Sequence, residues 1–305
     1  MKKNVYKLSA ESGTSIVIAP EYGCNMISWM VGGREMLYNP ETQGKMPEGY
    51  YSGGNPILYP SVGRTWDRSG NRPEPDKYWI FGRENVYKMP CHGIVPAGRW
   101  VQTKEQSQRG KVEVEYSFSL SEKTMSEHYP FDMSFLLRYT LKKYSVGIEA
   151  IFRNNGTSPA PFAFGYHPYF QFSDRSNICV HLPCGKRALL DPELLIPTGE
   201  SKMSSSTLSF ERGKACDMAF TGINGKRASV INKSTGAGVH VDFDENIEML
   251  VVYSGTDSNY VCLEPWTRGL GAYEKLRHAN WTDSGEIPVL QPQQTKTVNV
   301  KYSVR

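Results

Sequence analysis

Two short segments hold side chains whose types and settings suit chemistry. "AFGYHPYF", residues 163–170, places His167 among aromatic residues and against Pro168. "YVCLEPWTRG", residues 260–269, places Glu264 at the end of an apolar run, with Pro265 and Trp266 behind it. Imidazole titrates near neutral pH, and a carboxylate on a buried strand is costly unless paired or used. The chemistry open to such a pair is proton transfer. Each residue also has a structural reading, a packed core histidine and a carboxylate at a strand terminus. That both segments join one titratable group to a proline and an aromatic favours the chemical one.

Residues so placed need a rigid frame, and the pattern around them is that of strands. "TSIVIAP", "VEVEYSFSL", "MSFLLRYTL", "VGIEAIFRN", "GVHVDFD", "MLVVYS" and "TVNVKYSV" are alternating or continuous apolar runs rich in Val, Ile, Tyr and Phe. Between them, "NNGTSPAP", "INGKR" and "NKSTGAG" carry the Gly and Asn that tight turns require, so hairpins are the expected linkage. No helical period lasts more than a turn or two, although "GAYEKLRHAN" could hold a short helix. The pattern predicts an all-β fold with few short helices. So many strands need an apolar partner surface about 10 Å away, which makes the fold a large antiparallel β-sandwich. No linker or internal repeat divides residues 1–305, and one domain is expected. Residues 51–100 differ in texture, dense in Gly, Pro, Arg, Trp and Tyr, and suit long loops that build a site on a rigid sandwich.

Composition excludes several classes. A formal net charge of +4 over 305 residues, without a basic block, argues against nucleic acid. The start, "MKKNVYKLSAESG", has no apolar stretch behind its lysines, and no run of eighteen apolar residues occurs, so no membrane and a cytoplasmic location are expected. Six scattered cysteines in so long a chain read as reduced thiols. His181 and Cys184 in "VHLPC" are two ligands without a second pair, and no metal or other cofactor is expected.

Taken in order, "GNPILYPSVGR", "CHG", "YPFDMSF", "FGYHPYF", the Asp-x-x-Phe of "CDMAF", "CLEPWT" and "VLQPQQTKTVNVKYSV" resemble the aldose 1-epimerases, or galactose mutarotases, over nearly the whole chain. The resemblance is closer to a shorter bacterial branch that includes hexose-6-phosphate mutarotase-like members. It implies the large galactose mutarotase β-sandwich and the interconversion of the α and β anomers of a free or phosphorylated hexose. By the same resemblance His167 is the general acid and Glu264 the general base, while Arg64, His92 and Asp217 hold the sugar hydroxyls. Trp266 is a candidate to stack on the ring, ahead of Tyr166, Trp66 and Trp79. Arg68 is an alternative to Arg64, and Asp242 and Asp244 compete with Asp217.

Mutarotation requires removing the proton from the O1 hydroxyl and giving one to the ring oxygen O5. The ring opens, C1–C2 rotates and the steps reverse. A carboxylate and an imidazolium on opposite sides of the sugar could do both, each contributing roughly 10²–10⁴-fold. Two departures from the family pattern, Ile94 after "HG" and the "VPAGR" stretch that follows, bear on one wall of the pocket. The alternative from another class is a sugar-binding or regulatory protein that keeps the pocket without turnover. Glycoside hydrolysis would need two carboxylates flanking the bond, where the motifs offer one carboxylate and one imidazole.

Overall fold

The computed structural model describes residues 5–10, 13–39, 53–95, 98–256 and 258–305. Two large sheets dominate it. One has nine strands and runs, in spatial order, Arg99–Gln108, Lys111–Ser119, Met133–Lys142, Ser145–Asn154, Thr295–Val304, Gly238–Phe243, Arg227–Asn232, Ile178–His181 and Thr207–Ser209. The other has eight main-path and side strands built around Tyr260–Trp266, which neighbours Met249–Ser254 on one side and Gly165–Tyr166 on the other. All seven apolar runs fall on strands, and every pairing between these strands is antiparallel.

The core lies between the sheets. Phe135 and Phe152 of the nine-stranded sheet meet Phe164 from beside the second sheet, with ring centroids 5.8 and 4.9 Å apart, and Phe170 meets Tyr302 at 5.5 Å. Alternation along the strands of the second sheet then creates two apolar clusters. Phe220, Leu250, Val252, Val261 and Leu263 join the main core, whereas Ala219, Met249, Val251 and Trp266 form a smaller cluster on the opposite face. This sheet is therefore covered on both sides, so Tyr260–Trp266 is buried at six successive positions rather than at every other one. Its outer face carries the candidate site.

The expectation of hairpins holds for "NKSTGAG", which joins Arg227–Asn232 to its antiparallel neighbour Gly238–Phe243. It fails for "NNGTSPAP" and "INGKR", whose flanking strands lie in different sheets. Turn residues set a reversal locally, but whether the next strand pairs or crosses the sandwich depends on which apolar face it must bury. "GAYEKLRHAN" contains the short 3-10 helix Ala272–Arg277. A seven-residue α-helix, Glu122–His128, follows Ser121, whose hydroxyl caps it by accepting from Thr124 N–H at 3.1 Å. All six cysteines are free thiols. Among the described residues no helix is long and apolar enough to cross a membrane.

Candidate active site

Strand register explains why His167 and Glu264 meet. Gly165 lies opposite Trp266 and Tyr169 opposite Cys262 in antiparallel pairing with Tyr260–Trp266. The same register carried into the gap sets His167 across from Glu264, and directly opposed residues of an antiparallel pair project to one face. Pro168 cannot donate to the ladder, and His167 N–H donates instead to Pro56 C=O at 3.0 Å. The result is a contact of 3.3 Å between His167 Nε2 and Glu264 Oε1, without the alignment of a hydrogen bond. The two groups stand side by side, not on opposite sides of a sugar ring. That arrangement still serves the chemistry, because O1 and O5 are both bonded to C1 and can be reached from one side.

Two loops complete the site, tied to each other through the backbone. His92 N–H donates to Gly63 C=O at 2.8 Å and Ile94 N–H to Tyr59 C=O at 2.8 Å. His92 has a φ of 67°, a left-handed conformation that costs a residue with a side chain about 1–3 kcal/mol and tends to persist at functional sites. Gly93 must be glycine, since its φ is 90° and a Cβ would lie 2.0 Å from the Tyr59 carbonyl oxygen. The Gly63 N–H donates to His92 Nδ1 at 3.1 Å, which fixes the proton of the neutral ring on Nε2. Burial, and then the nearby Arg64, push His92 down to about 4, so at neutral pH it is an uncharged hydrogen-bond donor. Its ring lies edge-on to His167 at 5.6 Å and to Trp266 at 5.9 Å.

His167, Glu264, Arg64, His92, Asp217 and Trp266 all line one cavity of about 370 Å³. Burial pushes His167 well below the ordinary imidazole value, with His92 adding to the effect. Burial likewise pushes Glu264 well above the ordinary carboxylate value, with Asp217 adding. Partial burial of the carboxyl raises Asp217 as well. Neither carboxyl oxygen of Glu264, nor Nδ1 of His167, makes a hydrogen bond. Buried polar atoms are rarely left so, and a cavity lined by them suits a polar ligand.

The alternatives separate by position. Arg68 lines a different cavity and pairs with Glu274 at 3.2 Å. Asp242 pairs with Arg227 and Lys301, and Asp244 accepts from Asn299 N–H, both on the nine-stranded sheet side and outside this cavity. Tyr166 is packed in the core against Phe164. Trp79 donates to Asp67 at 2.8 Å away from the cavity, whereas Trp66 lines it and donates to Leu194 C=O at 2.9 Å. His181 contacts Thr207 and Cys179, not Cys184. Ile94 belongs to the main core and does not line the cavity. The "VPAGR" departure includes residues 96 and 97, which lie outside the described residues.

Sequence reading passed over two residues of this site. Tyr169 stacks on the His167 ring at 4.7 Å and 10°, and Cys262 brings its thiol within 4.8 Å of both His167 and Glu264. The signal was present in each case. Tyr169 follows His167 by two residues and Cys262 precedes Glu264 by two, and in extended chain that spacing returns to the same face.

The two-sheet antiparallel sandwich is that of the galactose mutarotase type. The model of the aldose 1-epimerase family matches residues 4–303, and the chain belongs to that family. It is similar to the LacX protein of Lactococcus lactis, at 21% identity over 272 residues, covering 83% of this chain and 84% of that one. Among solved structures it resembles the Slr1438 protein of Synechocystis, with a TM-score of 0.83, 24% identity, and coverage of 100% and 96% of the two chains. A galactose mutarotase-like protein of Clostridium acetobutylicum matches with a TM-score of 0.76 at 19% identity, over 99% and 95%.

Proposed function

We propose that the protein is an aldose 1-epimerase that interconverts the anomers of a hexose, free or phosphorylated, by acid–base ring opening. The observation that carries this reading is the 3.3 Å approach of His167 and Glu264, across one strand pair, on the floor of a cavity lined by four further polar or aromatic candidates. His167 delivers a proton to O5 while Glu264 takes the O1 proton, and the two exchange tasks when the ring closes on the other face. His92, held neutral, donates to a sugar hydroxyl. Arg64, 43% exposed and paired with Asp76, reaches from the mouth, Asp217 accepts, and Trp266 offers an apolar wall. Polarimetric relaxation of freshly dissolved α-D-glucose, α-D-galactose and a hexose 6-phosphate tests the reading. Acceleration over buffer for at least one supports it, and saturable binding with no acceleration would select a sugar-binding protein instead.

Two further outcomes are expected. Arg64→Ala and His92→Ala each remove a hydrogen-bonding partner of the sugar, and kcat/KM should fall roughly tenfold or more, the scale of one charged or buried hydrogen bond. Unchanged kcat/KM and KM in both folded variants would remove these residues from the binding site. Prolonged EDTA treatment should leave the rate undiminished, because the proposed proton transfers use no Lewis acid. Loss of rate restored by one divalent ion would overturn that route.

A further inference from the structure

Behind the proposed acid–base pair, just beneath the residues that line the cavity, lies a third group that mutarotation does not use. Cys262, Glu264 and Trp266 alternate onto one face of Tyr260–Trp266, and Cys262 is fully buried beside the proposed acid–base pair. One ligand atom from each of His167, Cys262 and Glu264 lies within 4.8 Å of the others. A tetrahedral zinc with bonds of about 2.0–2.1 Å to nitrogen and oxygen and about 2.3 Å to sulfur sets its ligand atoms about 3.3–3.6 Å apart. His167 Nε2 and Glu264 Oε1 are already at 3.3 Å, in a contact that is not a hydrogen bond, and Glu264, only 1% exposed, has both oxygens unpartnered. The sulfur needs to close by little more than 1 Å at most toward each of the other two donor atoms to complete the remaining two edges. The neighbouring Asp217 adds negative charge on the same cavity.

We propose that His167, Glu264 and Cys262 form a site for Zn²⁺ or another thiophilic divalent cation, reached through the cavity, and that the bound ion blocks the acid–base pair. An imidazole nitrogen, a carboxylate oxygen and a thiolate match the donor set of zinc and leave one position open toward the cavity. On binding, the Cys262 thiol, and the Glu264 carboxyl where protonated, release their protons to the buffer, and three coordinate bonds form without redox change. Ion binding stands on the geometry alone, whereas the blocking of turnover rests on the mutarotase reading above.

The test uses chelator-stripped full-length protein titrated with Co²⁺ as a spectroscopic probe and with Zn²⁺ in competition with a chromophoric chelator. Wild type should take up one ion per chain, show tetrahedral Co²⁺ absorption with a thiolate charge-transfer band, and lose mutarotation as Zn²⁺ binds. Cys262→Ala should lose the charge-transfer band and bind Zn²⁺ roughly 10–100-fold more weakly or worse, since even an outer-shell partner is worth that much. If Cys262→Ala does not fold, His167→Asn must show the same loss of affinity. No saturable binding in wild type, or unchanged affinity in the folded variants, overturns the site. Metal binding as expected in a protein that never accelerates mutarotation would leave the site standing and sink the enzymatic reading.

Discussion

Replacing His167 by Asn or Glu264 by Gln is expected to yield a folded protein that binds sugar and turns it over roughly 10²-fold or more slowly, the scale of one lost acid or base. Both substitutions keep side-chain volume close to the original and retain hydrogen-bonding capacity, so neither opens a cavity in the floor. His167 is stacked on Tyr169 and lies beside His92, contacts that an amide of similar size can preserve in part. Glu264 makes no hydrogen bond whose loss would unpin the strand. The double variant should be little slower than the slower single one, because two groups serving one proton-coupled step are not additive. The measurement is polarimetric kcat and KM for all three variants, with circular dichroism as the check on folding. Unfolding of His167→Asn, together with full activity in a folded Glu264→Gln, would show that the histidine is a packed core residue and nothing more.

The pH dependence of kcat/KM should be a broad bell whose limbs each fall tenfold per pH unit. The active pair carries one proton, which rests mainly on Glu264; the form with His167 protonated and Glu264 ionised, which starts ring opening, is reached by shifting that proton to His167, so the apparent pKa values belong to the pair. Burial lowers His167 and raises Glu264, so both shifts oppose charge. On the acid side the arriving second proton goes to His167, and because its pKa is depressed this limb lies well below the ordinary imidazole range. On the alkaline side the departing proton comes from Glu264, and because its pKa is raised this limb lies well above the ordinary carboxylate range. A solvent-exposed pair would instead be singly protonated only in the narrow interval between those two ordinary values. Residual activity should lose its acid limb in His167→Asn and its alkaline limb in Glu264→Gln. A profile with a single limb in wild type, or with both limbs intact in either variant, contradicts the shared-proton pair.

Much of this was legible in the sequence for a local reason. The period of two along seven apolar runs reports directly on strands, because side chains of an extended chain alternate whatever lies far away. The turn chemistry of "NKSTGAG" was equally local, whereas the crossings at "NNGTSPAP" and "INGKR" were not. Their residues specify a change of direction, but the sheet that receives the next strand is chosen by burial across the whole sandwich. Ile94 illustrates the same limit: as a departure from the family pattern it bore on a pocket wall, yet after the left-handed turn at His92 and Gly93 it lies in the core.

By itself the sequence determined the strands, the motif residues and the kind of chemistry an imidazole and a carboxylate could share. Only the tertiary structure decided that they stand side by side at 3.3 Å, that Asp217 rather than Asp242 or Asp244 faces them, and that Cys262 lies against both. The physical reason is register. His167 and Glu264 are almost a hundred residues apart, and nothing in either segment encodes its partner. Their meeting follows from the pairing of Gly165 with Trp266 and Tyr169 with Cys262, a match set when both strands bury one apolar face in the core and leave the other to line the cavity.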